Sequence, residues 1–84
     1  MAHGTEKPIE SRAIGIMAEQ LGLGTRKVLL EDQISEDLGA DSLDILEMAI
    51  QFEDEFDVNL DGLEVPERTT VGQIVEKIRQ KGGK

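Results

Sequence analysis

Three apolar stripes at helical spacing, and no alternating run long enough for a strand, constrain this chain more than any other feature. The first stripe is Ile9, Ala13, Ile16, Met17 and Leu21, one face of an amphipathic helix. Pro8 suits its first turn, with Thr5 or Glu6 just upstream, and Gly22 suits its end. The second helix starts at Asp41 or Ser42 and runs to about Phe56, on a stripe of Ile45, Met48, Ala49, Phe52 and Phe56. The third carries Val71, Ile74, Val75 and Ile78, and Thr70 with Gln73 has the spacing of a capping box. Residues 23–40 form a long connection, which Leu23, Val28, Ile34 and Leu38 pin to the core, because a free loop of that length is uncommon in a small domain. Val58-Asn59-Leu60 alternates over too few residues to count as a strand. The expected fold is all-α: three main helices, with a short or distorted further element near Leu63 to Arg68. The domain is expected over residues 8–80, with flexible tails at 1–7 and 81–84.

With 84 residues the chain is one small domain, and its core is marginal. The absence of Cys excludes disulfides, Cys-ligated zinc and a Cys nucleophile within the chain. No Trp or Tyr is present, and only Phe52 and Phe56 could stack on bases. The formal charge of −9 argues against a nucleic-acid partner and suits basic protein partners. That charge is unevenly placed. From Glu31 to Glu67 there are 14 acids and no Lys or Arg, while the flanks hold 4 acids and all 9 bases. The acidic window also contains the most regular apolar pattern, so it reads as a solvated or partner-facing helical surface rather than a tail. The first residues carry no apolar run, and no stretch approaches a membrane span. The expectation is a cytoplasmic monomer, with the lone His3 a bystander in the tail.

A second apolar line, Leu43, Leu46 and Ile50, lies on another face of the second helix. Either Leu46 joins the core and the other two are scattered surface residues, or the three form a docking strip ringed by Asp41, Asp44, Glu47 and Asp54. Composition favours the first reading, since single exposed apolar residues are ordinary. The same helix begins with Asp37-Leu38-Gly39-Ala40-Asp41-Ser42-Leu43-Asp44. This places Ser42 in the first turn, where free N–H groups and the helix dipole favour a phosphodiester. Gly39 allows the tight turn that leads in. On position alone, Asp41 or Ser42 as a simple N-cap is the commoner use. Nucleophilic catalysis by Ser42 has little support, because no His or Lys lies near it in sequence.

Leu38-Gly39-Ala40-Asp41-Ser42-Leu43-Asp44 resembles the phosphopantetheine attachment motif of acyl carrier proteins. The resemblance runs over roughly residues 9–80, through Ile9 to Leu23, the anchors Val28 and Ile34, Glu53-Asp54-Glu55-Phe56-Asp57 and Thr69-Thr70-Val71. It implies the family's four-helix bundle and a non-catalytic carrier, with 4′-phosphopantetheine attached covalently to Ser42 beside Asp41 by a phosphopantetheinyl transferase. The arm's thiol would carry acyl groups as thioesters for fatty-acid or specialised lipid or polyketide synthesis. The resemblance also recasts the second apolar line. Leu43, Asp44, Leu46, Glu47, Ile50, Glu53 and Asp54 become a surface for acyl-processing enzymes with basic docking patches, and Ile45, Met48, Ala49 and Phe52 line the space for an acyl chain. The Gly39-to-Leu43 form and the acidity are more similar to fatty-acid-type carriers than to peptidyl carriers. One departure is the family's short third helix. Pro66 cannot sit in a helix interior and Arg68 stands where an apolar residue is usual, so Leu63 or Val65 is expected to supply the packing.

Two rival readings come from other classes. Asp57-Val58-Asn59-Leu60-Asp61-Gly62 fits the opening half of an EF-hand, but Arg68 stands where the bidentate Glu is needed and Pro66 where the second helix should begin. Clustered acids could bind Mg²⁺ or Ca²⁺ weakly, with no dedicated metal site. Gly82-Gly83 suggests a ubiquitin-like tail, but it follows a helical stripe and the chain lacks the strands of such a modifier.

Overall fold

Each apolar stripe forms a helix. In the computed structural model, α1 is Ile9–Gln20, α2 is Ser42–Phe56 and α3 is Val71–Gln80. The structure describes residues 8–24, 27–60 and 65–82. The expected tail at 1–7, with His3, Thr5 and Glu6, therefore lies outside the described residues, as do Asp61, Gly62, Leu63 and Gly83. Lys81 and Gly82 form an exposed turn after α3.

The helix ends follow local chemistry. Pro8 is the N-cap of α1, in extended backbone and with no side-chain cap. It thus precedes the first turn instead of occupying it. At the other end Gly22 takes a left-handed conformation, and the Leu23 N–H donates to the Ala18 carbonyl at 2.9 Å. That closure satisfies a carbonyl which the helix itself leaves unpaired. The box foreseen at Thr70 and Gln73 is complete, with both reciprocal hydrogen bonds made. α2 ends at Asp57, a non-glycine residue in the left-handed region.

α1 packs against both α2 and α3, and the core lies among the three helices. Ala13 and Met17 meet Met48, Phe52 and Phe56 from α2 and Val71, Ile74, Val75 and Ile78 from α3. The long connection is pinned as expected. Val28, Ile34 and Leu38 are buried and Leu23 is partly buried, while Ala40 adds a further buried contact. Val58 and Leu60 are also buried, with Asn59 exposed between them. The short alternation marks an extended segment that seals the core without pairing as a strand. Among the described residues the only bridge is an isolated one between Gln33 and Thr70.

The connection is also tied to α3 by its backbone. Ile34 N–H donates to the Thr69 carbonyl, and the N–H groups of Val71 and Gly72 donate to the Asp32 and Leu30 carbonyls, each at 2.9 Å. These bonds satisfy the first orphan donors of α3. A side chain at Gly72 would place its Cβ 3.3 Å from the Leu30 oxygen, so the close approach favours glycine. A fourth helix is absent among the described residues. Pro66 to Thr69 is a turn closed by a 2.9 Å bond from the Thr69 N–H to the Pro66 carbonyl. Arg68 faces solvent there, and Val65 supplies the packing against the core. The proline explains the outcome: it supplies no N–H and obstructs a helix that would have to continue through it.

One ionic contact joins α1 to the end of α2. Arg12 donates through Nε to Glu55 Oε2 at 3.0 Å and through Nη2 to the Glu55 carbonyl at 3.1 Å. Its guanidinium carbon lies 4.6 Å from the centre of the Phe56 ring. Substitution Arg12→Met keeps the apolar stem but removes all three contacts. It should lower the unfolding free energy by about 2 kcal/mol in urea titration, since a charge-assisted bond and a cation–π contact each contribute of order 1 kcal/mol. An unchanged urea midpoint would show that the contact is energetically idle.

Candidate functional site

The site is built on the first turns of α2. A turn over Gln33–Leu38 leads into Gly39, whose positive φ lets the chain reverse, and the Ala40 N–H returns to the Ile34 carbonyl at 3.1 Å. Ala40 is buried, so the chain emerges from the core at Asp41. Asp41 is the N-cap of α2. Its Oδ1 accepts from the Asp44 N–H at 2.9 Å, and Asp44 Oδ2 accepts from the Asp41 N–H at 3.1 Å. This is a reciprocal capping box with Asp at both ends, and it fixes the backbone on either side of Ser42. The cap role therefore falls to Asp41, which leaves Ser42 as the first helical residue. Ser42 is exposed, and among the described residues its hydroxyl makes no hydrogen bond.

Two faces of α2 diverge from Ser42. Leu43, Leu46 and Ile50 are 61%, 58% and 57% exposed, so Leu46 is not a core residue. The reading that composition favours is thereby corrected: the three form one exposed apolar strip. Hydropathy cannot separate the two stripes, because a leucine looks the same on either face. On the inner face Ile45, Met48, Ala49 and Phe52 line a narrow cavity of about 10 Å³, together with Met17, Ile34, Val65 and Ile74. That is room for about one water molecule.

The acids around the strip divide by what they bind. Glu47 and Asp54 are exposed. Asp44 is half-buried and has both oxygens engaged, one in the capping box and one facing Gln20 Nε2 at 3.5 Å. Glu53 is half-buried too, and its Oε2 accepts from the Leu60 N–H at 2.8 Å, closing the turn after α2. Asp41, Asp44 and Glu53 therefore shape the backbone as well as charging the surface.

The family model for the phosphopantetheine attachment site matches residues 11–78. An acyl carrier protein of Trieres chinensis is 42% identical over 74 residues, covering 88% of this chain and 92% of the relative. One of Thermotoga maritima is 38% identical over 79 residues, covering 94% and 98%. One of Amoebophilus asiaticus is 37% identical over 73 residues, covering 87% and 91%. The chain belongs to the acyl carrier protein family.

The residues present fit the cofactor of acyl carrier proteins, 4′-phosphopantetheine. The capping box takes the N–H groups of Asp41 and Asp44, which leaves those of Ser42 and Leu43 beside an exposed hydroxyl. A phosphodiester there meets free donors and the positive end of the helix dipole. Both flanking carboxylates are turned onto backbone donors, which softens their repulsion of a second anion. The EF-hand reading gains nothing from the fold. Asp57 is the C-cap of α2, and a turn, not a helix, occupies Pro66 to Thr69. Asp61 and Gly62 lie outside the described residues. The modifier reading fares no better among the described residues, where the bundle is helical.

Four residues of this acyl carrier site escape a reading of the sequence alone. Met17, Ile34 and Ile74 line the cavity from three other segments, and Gln20 reaches the acids of α2 from the end of α1. The apolar three carry no signal beyond being core. Gln20 sits three residues after Met17, at the border of the α1 stripe, which is the one hint that it faces a neighbour.

Removing the cap tests the local design. Asp41→Ala should cost about 1 kcal/mol of stability, and Asp41→Asn should restore most of it, since asparagine caps equally well. Urea unfolding of both variants checks this. Equal stability of all three proteins would mean that the box is ornamental.

Proposed function

We propose that this protein carries acyl groups as thioesters on a 4′-phosphopantetheine arm attached to Ser42. It presents them to enzymes of fatty-acid or specialised lipid or polyketide synthesis. It is a carrier, and a substrate of a phosphopantetheinyl transferase that draws on coenzyme A. The exposed, unpaired hydroxyl of Ser42 at the first position of α2 is the observation that carries the reading. No helix among the described residues is long and apolar enough to cross a membrane, which agrees with work alongside cytoplasmic enzymes.

When bound, the arm supplies the thiol that the sequence lacks. The protein's own residues do the rest. The Ser42 oxygen forms the phosphodiester and gives up its proton to a base on the transferase. Ser42 lies on the border of both faces of α2, because Ile45 and Ala49 follow at offsets 3 and 7 and Leu46 at offset 4. Cargo attached there can turn inward along Ile45, Met48, Ala49 and Phe52, or outward past Leu46. Inward, each methylene removed from water is favoured by about 0.8 kcal/mol. The cavity holds about 10 Å³ as it stands, so its walls must part, and Met48 is the most adaptable side chain on the α2 wall. Outward, Leu43, Leu46 and Ile50 give a partner an apolar anchor. Asp41, Asp44, Glu47, Glu53 and Asp54 around them attract Lys and Arg, which speeds encounter and fixes register.

Incubation with coenzyme A and a phosphopantetheinyl transferase should add the mass of one phosphopantetheine, and Ser42→Ala should abolish the gain. No gain in the native chain, or the same gain in the variant, overturns the assignment. Glu47→Lys should slow the transfer and flatten its dependence on salt while leaving the circular dichroism spectrum unchanged. An unaltered rate would remove Glu47 from the docking surface.

A further inference from the structure

We propose that Gln20 is a positioning residue for the docking face: its side-chain amide, reaching across from α1, holds the carboxylates of Glu47 and Asp44 in place for a basic partner. The inference rests on the docking surface described above and adds to it a residue from outside α2.

Gln20 is the last residue of α1. Its Nε2 donates to Glu47 Oε1 at 2.6 Å and lies 3.5 Å from Asp44 Oδ1. Its Oε1 accepts from Gln51 Nε2 at 2.7 Å. The direction of the amide is therefore determined. Carboxylates only accept, so Nε2 must face the acids, and Gln51 takes the oxygen that remains. Asp44, Glu47 and Gln51 stand at offsets 0, 3 and 7 on α2, and one side chain from α1 links all three.

The choice of a neutral donor matters. Asp44 and Glu47 are like charges three residues apart on a helix, which repel. A lysine at position 20 could bind both, but it would cancel the charge that draws a partner. Glutamine steadies the pair and leaves both charges intact. It also occupies one oxygen of Glu47, so the other stays available to a partner's Lys or Arg. A free glutamate must lose rotamer freedom when it docks, whereas one already held loses less.

The test is a double-mutant cycle with a phosphopantetheinyl transferase and coenzyme A, in which KM and kcat are measured for this protein as substrate. Gln20→Ala should raise KM about fourfold with kcat unchanged, the size of one modest hydrogen bond. In a Glu47→Ala background the same change should have almost no effect. An equal rise in both backgrounds would show that Gln20 acts only through packing, and would overturn the proposal. Gln20→Lys should also raise KM, but with a flatter salt dependence. An unaltered KM and salt slope there would overturn the role of neutrality. If Gln20→Ala fails to fold, Gln20→Met serves instead, with similar bulk and no hydrogen bonds. NMR relaxation of the Glu47 side chain gives a readout that needs no transferase: its order should fall in the Gln20 variant. Unchanged order would overturn the proposal. A native chain that never accepts the arm would sink the carrier reading alone, while the Glu47 measurement would still decide the role of Gln20.

Discussion

The structure depends on keeping α2 helical while it bears Asp44, Glu47, Glu53, Asp54 and Glu55 and no base. At the N-terminal end this is easy, because Asp44 opposes the positive pole of the dipole. At the C-terminal end three consecutive acids sit at the negative pole, where each is unfavourable. The fold offsets this by giving acids specific partners. Arg12 reaches from α1 to the carboxylate and carbonyl of Glu55 and lies over the Phe56 ring. Glu53 takes the Leu60 N–H, which brings Val58 and Leu60 back onto the core. Asp57 accepts a left-handed backbone so that the chain can turn. The acids are thus used as hydrogen-bond acceptors near home, and no base has to be placed within the window from Glu31 to Glu67.

That solution lets one helix of 15 residues serve several directions at once. Its 3.6-residue repeat separates an inner face on the cavity, an outer strip of Leu43, Leu46 and Ile50, and a polar seam where Gln20 meets Asp44, Glu47 and Gln51. Ser42 sits where inner and outer faces meet. The same geometry that makes α2 amphipathic thereby decides that cargo at Ser42 has two places to go.

The parts of this arrangement legible in the sequence are the local ones. Stripe spacing located α2 and α3 almost to the residue, and the Thr70–Gln73 box and the Gly39 turn follow from chemistry within a few positions. Val28, Ile34 and Leu38 could be placed in the core because a long connection needs anchors. Leu46 could not be placed by hydropathy. Its exposure depends on which face α1 covers, and that is a tertiary fact. Arg12 with Glu55 and Gln20 with Glu47 lie 43 and 27 residues apart, so no window of sequence contains either pair. The segment after α2 was ambiguous for another reason. Pro66 forbids a helix through that point but does not say what replaces it, and Val65 packs inward beside an exposed Pro66 and Arg68.

Packing also decides which wall of the cavity has room to give. α1 braces both other helices, while α2 and α3 touch each other far less. The long connection is bonded to α3 through Leu30, Asp32 and Ile34, so those parts hold together as a unit. α2 is joined to that unit by the turn at Gly39 and to α1 by Arg12 and Gln20. Ile45, Met48 and Ala49 on one wall face Ile34, Val65 and Ile74 on the other. Separating these side chains breaks apolar contacts but none of the backbone bonds that tie the connection to α3. A cavity of about 10 Å³ can therefore widen between α2 and α3 at the cost of dispersion contacts alone, which an apolar chain entering the gap would replace.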